Sequence, residues 1–304
     1  MELVKSGTHI NFMGARKIAY TLSGLFIIIS IISLFLYKGI NYGIDFAGGT
    51  LIQVRFTKEV RVQDIRNALK PIGLGGALIQ GVGTLKDEEF LIRTSMSDES
   101  TKGFSAKLED SLNTAFGETN VDVRRIEMVG STVSKDLKQK GILSLFYAGI
   151  GILIYVWWRF ELRFSLGAIV ALIHDVIITV GIFSITGKEV SLPIIAALLT
   201  IVGYSLNDTI VVFDRVRENM KKQGKNVGII ELLNSSINQT LSRTLLTSLT
   251  TFLVVFCLFI FGGSVIHNFA FAMLIGVIVG TYSSMFVASP VVLLLAGNKD
   301  KKRG

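Results

Sequence analysis

The stretch LPIIAALLTIVGYSLNDTIVVF, residues 192–213, is apolar along almost its whole length, yet it holds Asn207 and Asp208 towards one end. As a helix rising about 1.5 Å per residue it crosses a hydrocarbon core of about 30 Å, which takes roughly 20 residues. Five other stretches pass the same test, near Ile18 to Tyr37, Gly141 to Trp157, Phe164 to Thr186, Thr244 to Phe261 and Ala270 to Leu295. The expected fold class is membrane α-helical, with six transmembrane helices.

Composition agrees with this. Half of the 304 residues are apolar before the 30 glycines are counted, and only 18% are charged, against about 25% in ordinary soluble domains. The net charge of +8 would suit nucleic acid in a soluble chain, so the placement of Lys and Arg decides. Arg16 and Lys17, Arg159 and Arg163, the group Arg215, Arg217, Lys221, Lys222, Lys225 and Arg243, and the terminal Lys299, Lys301, Lys302 and Arg303 all fall on one side, while the opposite short loops hold only Lys188. That asymmetry puts both termini in the cytoplasm and leaves a nucleic-acid partner without support. The chain is expected to lie in the cytoplasmic (inner) membrane, surrounded by lipid. Its one cysteine, Cys257, sits in an apolar run, so no intrachain disulfide and no thiolate metal cluster is available.

The first span follows Arg16 and Lys17, as a signal peptide would. Its apolar run of about 20 residues exceeds the roughly 7 to 15 of a signal core, and Leu36-Tyr37-Lys38 offers no small-residue cleavage site. It reads as a retained helix. The expected domains are residues 1–37 with the first helix, an extracytoplasmic segment 38–140, helices two to six over 141–295, and a basic cytoplasmic tail 296–304. Within 38–140, strands are expected at Thr50 to Phe56, Gly76 to Val82, Glu89 to Arg93 and Val121 to Met128, with helices at Val62 to Leu69 and Ser105 to Phe116. The order βαββαβ predicts a small ferredoxin-like α+β domain. The glycine-rich patch Gly73 to Gly83 lacks the spacing and following helix of a phosphate loop. Ahead of the first strand, Gly43 to Thr50 reads as a rigid connector, with Gly48 and Gly49 free to take backbone angles that other residues resist and Asp45 placed to cap local amides.

A charge near the centre of a spanning helix costs roughly 2.5 to 3.5 kcal/mol on insertion scales, so each one needs a partner or a function. His174-Asp175 lies in the third span, Asn207-Asp208 in the fourth, and the fifth begins with Gln239-Thr240-Leu241-Ser242-Arg243. Counted from the span ends, Asp175 falls about 16 Å and Asp208 about 8 Å into the membrane from the cytoplasmic side. Arg243 starts the antiparallel fifth helix, so an Asp208–Arg243 ion pair at matched depth is expected. Tyr204, Ser205 and Asp208 share one face, and Thr240, Arg243, Thr247, Thr250 and Thr251 form a polar stripe that should face the bundle interior or a hydrated path. The competing explanation is a structural polar network that fixes helix register, and for His174 a plain hydrogen bond to a neighbour. Gly276 and Gly280 form a small-xxx-small pair suited to helix packing.

Longer motifs carry a resemblance. Gly43-Ile44-Asp45-Phe46-Ala47-Gly48-Gly49-Thr50, Trp158-Arg159-Phe160-Glu161-Leu162-Arg163-Phe164, His174-Asp175, the run from Gly203-Tyr204-Ser205-Leu206-Asn207-Asp208-Thr209 to Arg217-Glu218-Asn219, and Gln239-Thr240-Leu241-Ser242-Arg243-Thr244 resemble the SecF family of bacterial protein-export subunits, relatives of the resistance-nodulation-division (RND) transporters. The resemblance spans the chain. It implies a non-enzymatic subunit without catalytic residues, metal or other cofactor. Protons would be the coupling ion. Such a subunit works with SecD, the SecYEG channel, YajC and exported preproteins. Asp208 and Arg243 match the family's membrane acid and essential arginine, with Asp175 as a further proton-coupling carboxylate and His174, Asn207, Thr247 and Tyr204 in support. A half-size RND-type exporter of small molecules or lipids would share the buried acids, but about 100 outer residues leave little room for a porter domain. An intramembrane aspartyl protease would need its Asp175 and Asp208 as a dyad, and Asp208 lacks the Gly-x-Gly-Asp setting of that class.

Overall fold

The computed structural model describes residues 8–37, 39–82, 88–95, 103–223 and 227–296. Gly83, Lys38, Lys225 and the basic tail after Ala296 lie outside the described residues. Helix α1 (Arg16–Ile32) runs into a π-helical turn, Ser33–Tyr37. Strand β1 (Gly49–Phe56), helix α2 (Val62–Leu69), strands β2 (Leu78–Val82) and β3 (Glu89–Thr94), helix α3 (Phe104–Phe116) and strand β4 (Val121–Val129) follow. Then come α4 (Ser131–Arg159), α5 (Leu162–Thr186), α6 (Leu192–Gln223), α7 (Ile229–Phe261) and α8 (Gly263–Ser283), which continues through the π turn Ser284–Ala288 into α9 (Ser289–Ala296). Six of these helical stretches are long and apolar enough to cross a membrane. The described residues form two compact units, Tyr42–Ile142 and the remainder.

In the first unit the sheet order is β2-β3-β1-β4, antiparallel throughout, which is the ferredoxin-like arrangement of a βαββαβ chain. Ile52, Val54 and Phe56 alternate along β1 and pack with Ile65 and Leu69 of α2 and Leu108 and Leu112 of α3. Each of these side chains contributes about 1.5 to 3 kcal/mol when fully buried.

In the helical unit, α6 and α7 are longer than their apolar cores suggest. The sequence placed span ends at Phe213 and Thr244, whereas α6 continues to Gln223 and α7 begins at Ile229. The reason is that an apolar stripe persists after the lipid-length run ends. Val212, Phe213 and Val216 of α6 meet Leu232, Leu233, Ile237 and Leu241 of α7, while charges occupy the outer face. Asn219 Nδ2 fixes the register, donating to Ser236 Oγ at 2.9 Å and Gln239 Oε1 at 3.1 Å. The break between α8 and α9 follows from Pro290, which has no N–H to give the carbonyl one turn back, and the chain widens into a π turn ahead of it.

The segment before α1 docks on this α7 extension. Asn238 Oδ1 accepts from Ile10 N at 2.9 Å and its Nδ2 donates to Ile10 O at 2.8 Å, while Asn234 Oδ1 accepts from Met13 N at 2.9 Å. Phe12 and Met13 are buried beneath.

Candidate functional site: two buried carboxylate clusters

Asp175 is fully buried in the middle of α5. Its Oδ2 accepts from Ser205 Oγ of α6 at 2.6 Å and from Ser283 Oγ of α8 at 2.8 Å, and its Oδ1 lies 2.9 Å from His174 Nδ1. Adjacent helical residues leave the axis about 100° apart, so His174 turns to α1 while Asp175 turns to α6 and α8. His174 Nε2 is 3.1 Å from Ser23 Oγ of α1, and Ser23 Oγ is 3.0 Å from the Tyr282 hydroxyl of α8. Four helices therefore meet at the His174–Asp175 pair. Burying a carboxyl group costs several kcal/mol, and the hydrogen bonds that it makes here offset that cost.

Asp208, 2% exposed, lies three residues along α6 from Ser205 on the same face. Its one side-chain partner among the described residues is Ser248 Oγ of α7, at 3.4 Å. That hydroxyl is also 2.7 Å from Thr281 Oγ1, whose own hydrogen goes to Val277 O at 2.7 Å. A single Ser248 hydrogen thus serves two acceptors, and most of the acceptor capacity of Asp208 is unfilled by the described residues. The Tyr204 hydroxyl is buried beside it, turned towards Ser248, Thr251 and Thr281, without a hydrogen bond among the described residues.

The expected Asp208–Arg243 ion pair is absent among the described residues. The Asn219–Ser236 register carries Asp208 to the level of Ser248, so Arg243 sits about five residues, or roughly 7.5 Å, nearer the α6–α7 turn. Measuring depth from Phe213 and Thr244 missed this offset, because both helices run on past those points. Arg243 is exposed and lines a polar pocket of about 820 Å³ with Asn207, Asp214, Arg217, Gln239 and Thr240. At its rim Arg159 Nη2 donates to Asp214 at 3.1 Å and Arg217 donates to the Arg159 carbonyl at 3.3 Å. Two of the long motifs meet there. The Thr247 hydroxyl bonds back to the Arg243 and Thr244 carbonyls of its own helix. The inward stripe of α7 is Thr240, Thr244 and Ser248, a four-residue spacing visible in the sequence but passed over for the neighbouring stripe. Ser23, Tyr282 and Ser283 were missed because serines and a tyrosine in apolar spans give no isolated signal.

Asp175 and Asp208 share no hydrogen bond, so the described residues hold no carboxylate dyad of the protease kind. Gly276 and Gly280 face α6: a Cβ on Gly276 would strike Ile201, and one on Gly280 would lie 3.0 Å from Ser205 Cβ. In the other unit, Asp45 lies in the one-turn helix Ile44–Ala47, closed by Gly48 N to Ile44 O at 2.8 Å. Gly48 and Gly49 have φ of 75° and 115°, and a Cβ on Gly49 would overlap the Thr94 carbonyl across the sheet.

Residues 107–298 match the family described as protein export membrane protein SecD/SecF, C-terminal, and residues 35–60 match the SecD/SecF GG motif, which contains Gly48 and Gly49. Protein translocase subunit SecF of Magnetococcus marinus is 50% identical over 99% of this chain and 97% of its own length. The same subunit of Desulfurispirillum indicum is 48% identical over 92% and 90%. Among solved structures, the crystal structure of SecDF, a translocon-associated membrane protein, from Thermus thermophilus superposes with a TM-score of 0.85 at 40% identity, over 97% of this chain and 40% of that one. SecDF in a super-membrane-facing form gives a TM-score of 0.70 at 38% identity, again over 40% of that chain. The chain thus spans about two fifths of the SecDF chains it matches and nearly all of the SecF subunits. It is a multi-pass membrane protein, and it belongs to the SecF family of protein translocase subunits.

Proposed function

We propose that this subunit pairs with SecD in the cytoplasmic membrane, with both termini in the cytoplasm, and uses the proton gradient to promote export of preproteins through SecYEG, with YajC as an accessory. The observation that carries this is the contrast between the two buried acids. Asp175 is held by three side chains, while Asp208 keeps open acceptor capacity within about two turns of a polar pocket at Arg243 and Asn207. A proton crossing 100 mV releases about 2.3 kcal/mol, enough to shift a two-state equilibrium about 50-fold. Proton arrival at Asp208 would rearrange the Ser248–Thr281 hydroxyls and with them the contact of α6 with α7 and α8. Protons are the only coupling species required.

The test replaces Asp208 by Asn, which keeps shape and removes titration. Wild-type assembly with SecD, measured by co-purification in mild detergent, together with loss of gradient-dependent export, supports the assignment. Export that still responds to an uncoupler in Asp208→Asn would overturn it.

A further inference from the structure

The hydrogen-bond chain from Asp175 to α1 has a direction. Tyr282 has one hydroxyl hydrogen, and it donates to the Ala19 carbonyl at 3.0 Å, an atom that can only accept. The contact between Tyr282 and Ser23, at 3.0 Å, is then satisfied only if Ser23 donates to Tyr282. Ser23 has spent its single hydrogen, so its 3.1 Å contact with His174 is satisfied only if Nε2 is the donor. With Nε2 protonated, the 2.9 Å contact between Nδ1 and Asp175 Oδ1 needs one further proton, either on Nδ1 as part of an imidazolium or on the carboxyl. The remaining state, an ionised Asp175 beside a neutral Nδ1–H histidine, forces Nε2 to accept from Ser23 and leaves one contact of Tyr282 unmade.

We infer that Tyr282 and Ser23 are positioning residues that hold His174 with a proton on Nε2, so that His174 and Asp175 share one exchangeable proton across the Nδ1–Oδ1 bond. Releasing it requires the Tyr282 hydroxyl to turn from the α1 backbone at Ala19 to Ser23 Oγ. The pair is thereby tied to α1 by one rotating hydroxyl. The ring of Tyr282 is stacked between His174, at 6.1 Å, and Phe286, at 5.3 Å, so the hydroxyl turns about a fixed axis. Other titratable groups on the packed helices stay out of this chain: Asp208 of α6 bonds to Ser248, and the buried Tyr20 hydroxyl of α1 has no hydrogen-bond partner among the described residues. The bearing of this device on export rests on the proton-coupled reading above, while the positions of the hydrogens do not.

The test is nitrogen NMR of the full-length chain in membranes with ¹⁵N-labelled histidine, the three histidines being assigned with His9→Gln and His267→Gln. At neutral pH, Nε2 of His174 in the wild type should carry the signature of a protonated nitrogen. Tyr282→Phe keeps the ring and frees Ser23 to donate to Nε2, so a population with the large downfield shift of an unprotonated Nε2 should appear; Ser23→Ala, which removes the acceptor for Nε2–H, should move the tautomer the same way. An unprotonated Nε2 in the folded wild type at neutral pH would overturn the inference, as would a Tyr282→Phe spectrum identical to wild type. If Asp208→Asn spares gradient-dependent export while these tautomers behave as stated, the proposed function fails and this inference stands.

Discussion

Ser248 Oγ, at 3.4 Å, is the side-chain group that faces the Asp208 carboxylate, while Arg243 sits about a turn and a half away along the same helix. The arrangement separates two roles that an ion pair would have merged. The acid is enclosed by hydroxyls, which accept or donate as its protonation changes, whereas the cation lies in the polar pocket with Asn207. A hydroxyl can follow a proton; a guanidinium, with five donors and no acceptor, cannot.

Ser248→Ala should therefore damage gradient-dependent export more than Thr247→Ala, although the two are neighbours. Removing a hydrogen bond to a charged group costs about 1.5 to 3 kcal/mol, roughly a tenfold to hundredfold effect, and the long 3.4 Å contact puts Ser248 at the lower end. Thr247 bonds to its own helix, and its loss should stay within about 0.5 kcal/mol. Export kinetics at matched expression level check the order, and a larger defect in Thr247→Ala would place the functional stripe on the other face.

Most of the architecture was legible because it rests on long-range periodicities. Apolar runs of membrane length and the βαββαβ alternation of 49–129 each involve many residues, so single errors average out. What stayed illegible turned on few atoms. Helix extents beyond the membrane depend on a narrow stripe such as Val216 and Leu233 among charges, and the α6–α7 register depends on one asparagine, Asn219. The docking of Ile10 and Met13 on Asn238 and Asn234 joins residues over 200 apart in sequence, which no local pattern announces.

Glycines of the outer unit differ in kind. Gly49→Ala forces a Cβ onto the Thr94 carbonyl at a φ of 115°, so the edge of β1 must part from β3. A loss of at least about 2 kcal/mol in the stability of the outer unit is expected, read as faster proteolysis within Tyr42–Ile142 of the full chain. Gly76→Ala, where nothing lies within 4 Å of the new methyl, should be close to neutral.

Helix packing around the acids gives a separate test. Gly276→Ile should destabilise the helical unit by about 1 to 3 kcal/mol through overpacking against Ile201. Gly280→Ala sets a methyl 3.0 Å from Ser205 Cβ, so the consequence is displacement of the Ser205 donor from Asp175 rather than gross unfolding. Thermal stability in detergent should drop for the first variant, while the second should retain most of its melting temperature and lose export.

Lys188 tests the orientation, because it lies between α5 and α6 outside both spans, where Gly187 turns the chain. Its ammonium donates to Asn268 Oδ1 at 3.3 Å and lies 4.7 Å from the Phe271 ring centre. Burial there pushes its pKa below the ordinary lysine value. A lowered pKa leaves more neutral amine at a given pH, and the neutral amine is the nucleophile. A membrane-impermeant acylating reagent applied to intact cells should therefore modify Lys188, and its rate should reach a plateau at lower pH than for a lysine free in solution. Lys221 and Lys222, at the far end of α6, should react only after the membrane is opened. Site-resolved mass spectrometry distinguishes the sites, and labelling of Lys222 but not Lys188 in intact cells would invert the assigned orientation and place the Arg243 pocket outside.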